Sequence, residues 1–366
     1  MNLIDIGLII AGLILLIAGG EALVRGAGTL ASRAGISPLV IGLVVVSAAT
    51  SAPEFAVTMG AVLGGQPDLA VGNVVGSNIV NILFILGLSA VISPLLIKRQ
   101  LVRFDIPVMV GISVLLLAVS LDGQISLIDG ILLLTSLALH TVISIILGRK
   151  EVVDPKAKPD TMPLNSKPVP LWLAVLLLAV GIALLVFGAQ FLVTGAVSIA
   201  TSLGVSSLVI GLTVVAVGTS LPELATSLIA IFRGETDMAV GNVVGSNIFN
   251  IGMVLGLPAI LFGQGIPVAP AAIAIDIPLM LATAFALLPI AFTGFLVKRW
   301  EGGLFVLLYV SYTLYLVLAS TQHDAADGFS TIMLWFVLPL VAATLIAVTS
   351  YELGRISERK IALNRG

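Results

Sequence analysis

Long apolar runs separated by short clusters of Gly, Pro and charged residues fill the chain from end to end. Many of them reach the roughly 20 residues that an α-helix needs to cross a bilayer core. Their limits predict helices near 3–30, 38–63, 69–96, 104–121, 125–148, 171–198, 206–231, 238–262, 271–295, 303–320 and 329–350. The fold class expected is therefore an all-α polytopic membrane protein with eleven helices. The only long polar connection, Gly148–Pro170, is rich in Lys, Asp and Pro and separates two groups of five helices. This divides the chain into a first half at 1–148, a linker at 149–170, a second half at 171–320, and an extra helix with a basic tail at 321–366.

The two halves share sequence. The string AVGNVVGSNI occurs at Ala70–Ile79 and again at Ala239–Ile248, and a ThrSer-x-ProGlu motif precedes each copy, at Thr50–Glu54 and Thr219–Glu223. All these positions differ by 169 residues, whereas AspIlePro at Asp105 and Asp276 is offset by 171, so two residues were gained in between. Five helices per half is an odd number. The second copy then enters the membrane from the opposite face, which predicts an inverted repeat about an axis in the membrane plane.

Composition agrees with a membrane protein, because 59% of residues are hydrophobic and only 10% are charged, too few to cover a soluble core of this size. The net charge of −2 says little about partners, no nucleic-acid partner is expected, and the absence of cysteine excludes disulfides, thiolate metal sites and a cysteine nucleophile. Asp5 and the lack of a basic flank make the N-terminal run a retained helix rather than a signal peptide. All 17 Lys and Arg fall on one side of the eleven-helix scheme. By the positive-inside rule that side is cytoplasmic, with the N-terminus outside and the C-terminus inside a prokaryotic plasma membrane.

Within this apolar background Glu54 and Glu223 lie well inside predicted spans, where an ionised carboxylate costs roughly 2.5–3.5 kcal/mol unless compensated. A cation shared by two carboxylates is a direct compensation, and hard cations take oxygen ligands. Thr50 and Ser51, like Thr219 and Ser220, stand just before each glutamate near one helical face. Pro53 and Pro222 remove backbone donors and free carbonyls near Thr50 and Thr219. In the following helices Asn73, Ser77 and Asn81, and again Asn242, Ser246 and Asn250, are spaced by four and form a polar line on one face.

ThrSer-x-ProGlu followed by GlyAsn-x-x-GlySerAsn-x-x-Asn, once per half, resembles the alpha repeats of the cation/calcium antiporter superfamily, most of all its prokaryotic sodium/calcium exchangers. The resemblance implies a Ca²⁺ site built from the carboxylates of Glu54 and Glu223 with backbone oxygens of Thr50 and Thr219. It also implies Na⁺ sites using Ser51, Ser77, Ser220 and Ser246 with backbone oxygens of Ser47 and Ala216, while Asn81 and Asn250 border the middle of the cluster. Ca²⁺ and Na⁺ are then substrates, no cofactor is needed, the bilayer is the surrounding partner, and no obligate protein partner is evident. Members of the potassium-dependent branch carry an acid where this chain has Asn250, so the expected cluster holds two negative charges and argues against potassium co-transport.

Other polar residues have plainer readings. Asn73, Asn78, Asn242 and Asn247 are expected to bond helices together. Gly72, Gly76, Gly241 and Gly245 are read as packing positions, and Asp68 and Asp237 as N-caps. Glu21 should pair with Arg25, Asp105 and Asp276 are structural, His140 packs, and His323 lies in an exposed loop. The functional expectation is a secondary antiporter, not an enzyme, that extrudes Ca²⁺ against Na⁺ entry. A calcium/proton exchanger is the nearest alternative and a cation channel the next.

Overall fold

The computed structural model describes residues 3–153, 170–204, 214, 216–292, 294–321, 323, 325–339, 341–342, 346 and 350. It is almost wholly helical, in agreement with the all-α membrane class. The first group contains α1 (Leu3–Ala34), α2 (Pro38–Thr50), α3 (Ala52–Leu63), α4 (Pro67–Ile92), α5 (Leu101–Ser120) and α6 (Leu127–Val153). The second contains α7 (Leu171–Ser202), a helical turn at Ala216–Gly218, α8 (Leu221–Phe232), α9 (Thr236–Phe262), α10 (Ala272–Phe292) and α11 (Arg299–Ser320). Among the described residues eight helices are long and apolar enough to cross a membrane, or nine when α2 and α3 count as one span bent by 43°. Residues 206–213 and 215 of the predicted 206–231 span, and residues 340, 343–345 and 347–349 of the predicted 329–350 span, fall outside the described residues. Of the latter, α12 (Ala325–Ile332) and the widened turn at Met333–Val337 are present.

The central helices are α4 and α9, whose most apolar windows are 72% and 83% buried, against 28%, 22% and 17% for α1, α7 and α11. Leu139, Val142, Trp172, Val175, Leu307 and Val310 are exposed on α6, α7 and α11. Such faces suit lipid, because a helix satisfies its own backbone groups and needs no water.

The peripheral α1 and α7 pack antiparallel through a ladder that the sequence reading missed. Gly12, Gly19 and Gly26 recur every seven residues on α1, and Gly181, Gly188 and Gly195 do so on α7. A Cβ on Gly12 would lie 2.8 Å from Gly188 O, and one on Gly181 would lie 2.9 Å from Gly19 O, so only glycine permits this approach.

Two short ladders tie the groups together. β1 (Leu95–Leu96), which follows α4, pairs antiparallel with β4 (Leu296–Val297), which precedes α11. β2 (Gln124–Ile125), before α6, pairs in the same way with β3 (Ile266–Pro267), after α9. Each ladder therefore joins the end of a third predicted span in one half to the start of a fifth in the other. Widened π-helical turns also recur at matching positions, Val80–Leu86 with Asn250–Leu255 and Leu101–Asp105 with Ala272–Asp276. The first pair contains the asparagines that end the polar lines, Asn81 second in its turn and Asn250 first, and such turns occur often at functional sites.

Candidate ion-binding site

Ser51 and Ser220 break their helices in the same way, with φ −77° and ψ 3° at one and φ −90° and ψ 9° at the other. Each is the N-cap of the helix that follows, with proline second and glutamate third, so Glu54 and Glu223 occupy the first turns of α3 and α8. Proline is tolerated there because no N–H is needed, and the partial positive charge of a helix N-terminus favours a carboxylate. From sequence alone these prolines read as breaks that free carbonyls. The structure adds that each break starts a new helix whose dipole faces the acid.

The next helix anchors each glutamate. Asn73 Nδ2 donates to Glu54 O at 3.1 Å and to Thr58 Oγ1 at 2.9 Å. Asn242 Nδ2 donates to Glu223 O at 3.4 Å and to Ser227 Oγ at 3.1 Å. The expected bonding role of these asparagines is present, and Thr58 and Ser227 are partners that were missed. Their shared place four residues after each glutamate was the available signal.

Contacts between the halves bring the site together. Ser220 Oγ donates to Glu54 Oε1 at 3.1 Å. Thr50 Oγ1 donates to Asn242 Oδ1 at 3.2 Å and lies 3.5 Å from Ser246 Oγ. Ser220 stands three residues before Glu223, so its bond to Glu54 links the start of α8 to the glutamate of α3. Ser47, Thr50, Ser51, Glu54, Ser77, Asn81, Ser220, Glu223, Ser246 and Asn250 are all buried. Ser47 Oγ is turned back onto Leu43 O at 2.5 Å, which leaves the side chain occupied. Thr219 is half-buried, and the backbone of Ala216 lies in the short turn just before the α8 break.

Several of these buried atoms have no hydrogen-bond partner among the described residues. They are Glu54 Oε2, both Glu223 carboxylate oxygens, Ser51 Oγ, Ser77 Oγ, Thr219 Oγ1, Asn250 Oδ1 and both amide atoms of Asn81. Buried polar atoms are ordinarily paired, so this concentration of acceptor oxygens around two acids is suited to a hard cation. No group of three or more His, Cys, Asp or Glu forms among the described residues. Hydroxyl, amide and backbone oxygens would therefore complete any coordination begun by the two carboxylates.

One reading from sequence needs correction, a second holds for one half only, and a third is extended. Asp68 and Asp237 are not N-caps, because Gln66 and Glu235 hold those positions; both acids sit within the first helical turn, where Asp237 pairs with Lys98 at 3.1 Å. Gly241 and Gly245 do pack tightly, against Leu39 O and Leu43 O, but a Cβ on Gly72 or Gly76 would meet nothing within 4 Å among the described residues. Glu21 does pair with Arg25 at 2.7 Å, and it also holds Arg233, the C-cap of α8, with Arg233 Nε 2.6 Å from Glu21 Oε2. Away from the site, His140 Nε2 lies 2.9 Å from Asp105 Oδ1, and Ser144 Oγ donates to the same oxygen at 2.8 Å. These groups tie α5 to α6, in keeping with structural roles.

The family model described as "Sodium/calcium exchanger protein" matches residues 4–146 and 173–318. The chain belongs to the sodium/calcium exchanger protein family. It is 38% identical to "Inner membrane protein YrbG" of Escherichia coli strain K12 over 266 residues, 71% of this chain and 80% of that one. It is 30% identical to "Sodium/calcium exchanger MaX1" of Methanosarcina acetivorans over 338 residues, 83% of this chain and 96% of that one. Among solved structures it resembles the sodium-calcium exchanger NCX_Mj soaked with 2.5 mM Na⁺ and 0.1 mM Ca²⁺, with a TM-score of 0.72 and 33% identity. That match covers 85% of this chain and 97% of the other. This family member is thus a multi-pass membrane protein and a cation/Ca²⁺ antiporter rather than a member of an enzyme family.

Proposed function

We propose that the protein exchanges Na⁺ for Ca²⁺ by alternating access, extruding cytosolic Ca²⁺ as Na⁺ enters. The observation that carries this reading is the pair of buried glutamates at the first turns of α3 and α8, surrounded by acceptor oxygens without hydrogen-bond partners. In it, Glu54 and Glu223 with backbone oxygens of Thr50 and Thr219 hold Ca²⁺. Ser51, Ser77, Ser220, Ser246 and backbone oxygens of Ser47 and Ala216 serve Na⁺, and Asn81 and Asn250 border both. Because the ions use the same carboxylates, they exclude one another, and that competition couples their movements. MaX1 and NCX_Mj, both named as sodium/calcium exchangers, support the choice of ions.

The halves 1–148 and 171–320 act as an inverted pair, with 149–170 as a cytoplasmic linker and 321–366 as a peripheral helix and basic tail. The N-terminus lies outside and the C-terminus inside, as the placement of Lys and Arg favours. Gly72 is exposed and Gly76 half-buried on α4, while their counterparts Gly241 and Gly245 on α9 are buried. In this orientation the looser α4 face leads outward from the site and the packed α9 face leads to the cytoplasm.

Vesicles containing the purified protein test the reading. An outward Na⁺ gradient should drive ⁴⁵Ca²⁺ uptake, and a pH gradient of equal magnitude should not. Uptake that follows the pH gradient alone would assign proton coupling, in which protonation of the two carboxylates replaces Na⁺.

A further inference from the structure

Asn78 adjoins Ser77 but lies off the polar line of α4, and it reaches across to α9 and α10. Its side chain is buried, and its Nδ2 lies 3.3 Å from Asn247 O and 3.4 Å from Met280 Sδ. A backbone carbonyl and a thioether can only accept, so this end of the amide must be the NH₂. The oxygen of Asn78 then points the other way, where Asn250 Nδ2 donates to it at 3.1 Å. That bond settles the second amide too: Asn250 commits its NH₂ to Asn78 and keeps its Oδ1 buried without a hydrogen-bond partner. Asn250 stands one turn beyond Ser246 and two beyond Asn242, both of which lie against Thr50 beside the glutamates.

We infer that Asn78 is a positioning residue for cation binding, holding the Asn250 amide so that its oxygen rather than its NH₂ is available to the ion. This rests on the cation-exchange reading and deepens it. Ca²⁺ takes 6–8 oxygens and two carboxylates supply at most four, so an oriented amide oxygen counts toward the ligand set, whereas a flipped amide would present hydrogens to the ion. The mirror-related relay is not made. Both amide atoms of the Asn247 and Asn81 side chains lack partners among the described residues, so only one of the two middle asparagines is held in a defined orientation.

Ca²⁺-dependent thermal stabilisation of the purified full-length protein reads this directly, and it does not require turnover. Asn78→Ala should raise the Ca²⁺ concentration for half-maximal stabilisation about tenfold, the scale of one lost polar contact to a charged group. Asn78→Asp is isosteric, keeps an acceptor toward Asn250 and can donate a carboxyl O–H to Asn247 O; it should remain within about threefold of wild type. In an Asn250→Ala background, Asn78→Ala should add no further shift, because the oxygen it positions is already gone. The inference is overturned by an unshifted Asn78→Ala protein, or by the same shift in both backgrounds, which would mark Asn78 as a packing residue only. A normal wild-type response with either result sinks this inference alone. A wild-type protein with no Ca²⁺ response sinks the exchange reading along with it.

Discussion

Asn242 in the second half accepts a hydrogen bond from Thr50 across the site, while Thr219, the counterpart of Thr50, has no partner among the described residues. The same one-sidedness recurs around it. Ser220 donates to Glu54, but Ser51 does not reach Glu223; Asn250 bonds Asn78, but Asn81 bonds nothing among the described residues. Gly241 and Gly245 are pressed on the backbone of α2, whereas Gly72 and Gly76 are open among the described residues. Within each half, by contrast, the bonds are alike, since Asn73 and Asn242 both hold the glutamate carbonyl and the hydroxyl four residues further on. Local contacts follow the repeated sequence, and contacts between halves take one of two equivalent arrangements. The proposed alternating access would use two such arrangements, because exchanging them would move the opening from one face to the other.

The comparison predicts where the halves behave alike and where they differ. The largest effect should fall equally on both: Glu54→Gln and Glu223→Gln should each reduce ⁴⁵Ca²⁺ transport in vesicles to background at normal expression, since each removes half of the site's charge. Retained transport in either variant would remove that carboxylate from the site. Next comes a difference in stability. Gly245→Ala would drive a methyl into Leu43 O and should destabilise the protein by about 2 kcal/mol, while Gly76→Ala should stay within about 0.5 kcal/mol of wild type. If the halves exchange arrangements during transport, Gly76→Ala should nonetheless slow exchange, because that face must then take up the close packing of Gly245. Equal melting temperatures for the two variants would contradict the asymmetry. The smallest effect concerns the threonines. Thr50→Val should lower stability by about 1 kcal/mol through loss of its bond to Asn242, and Thr219→Val should change it by no more than about 0.5 kcal/mol.

Much of the site was legible because its chemistry is local and repeated. A glutamate in an apolar span, a proline just before it and hydroxyls one turn back are visible in any single stretch, and their recurrence 169 residues later marks them as a unit. The helix starts were partly legible. Ser-x-Pro-Glu at Ser51 and Ser220 has the spacing of a capped N-terminus, yet Asp68 and Asp237 were read as caps on proximity to a helix start alone. The chain turns into those helices two residues earlier, at Gln66 and Glu235. The glycine ladder of α1 and α7 was written in its seven-residue spacing, but its meaning depends on the two helices lying antiparallel in one register.

The sequence by itself determined that this is a multi-helix membrane protein, that its motif is duplicated, and which oxygen-bearing side chains accompany each glutamate. Hydropathy, spacing and repetition are properties of neighbouring residues, so they need no knowledge of what lies across the fold. Only the tertiary structure decided that Ser220 rather than Ser51 bonds a glutamate of the other half, and that Asn78 orients Asn250 while Asn81 is left without a partner among the described residues. The motif surrounding these choices is nearly identical in both halves, so local chemistry has no preference between them. In the arrangement seen, Gly241 and Gly245 of α9 lie against the backbone of α2, and the counterpart bonds are unmade among the described residues.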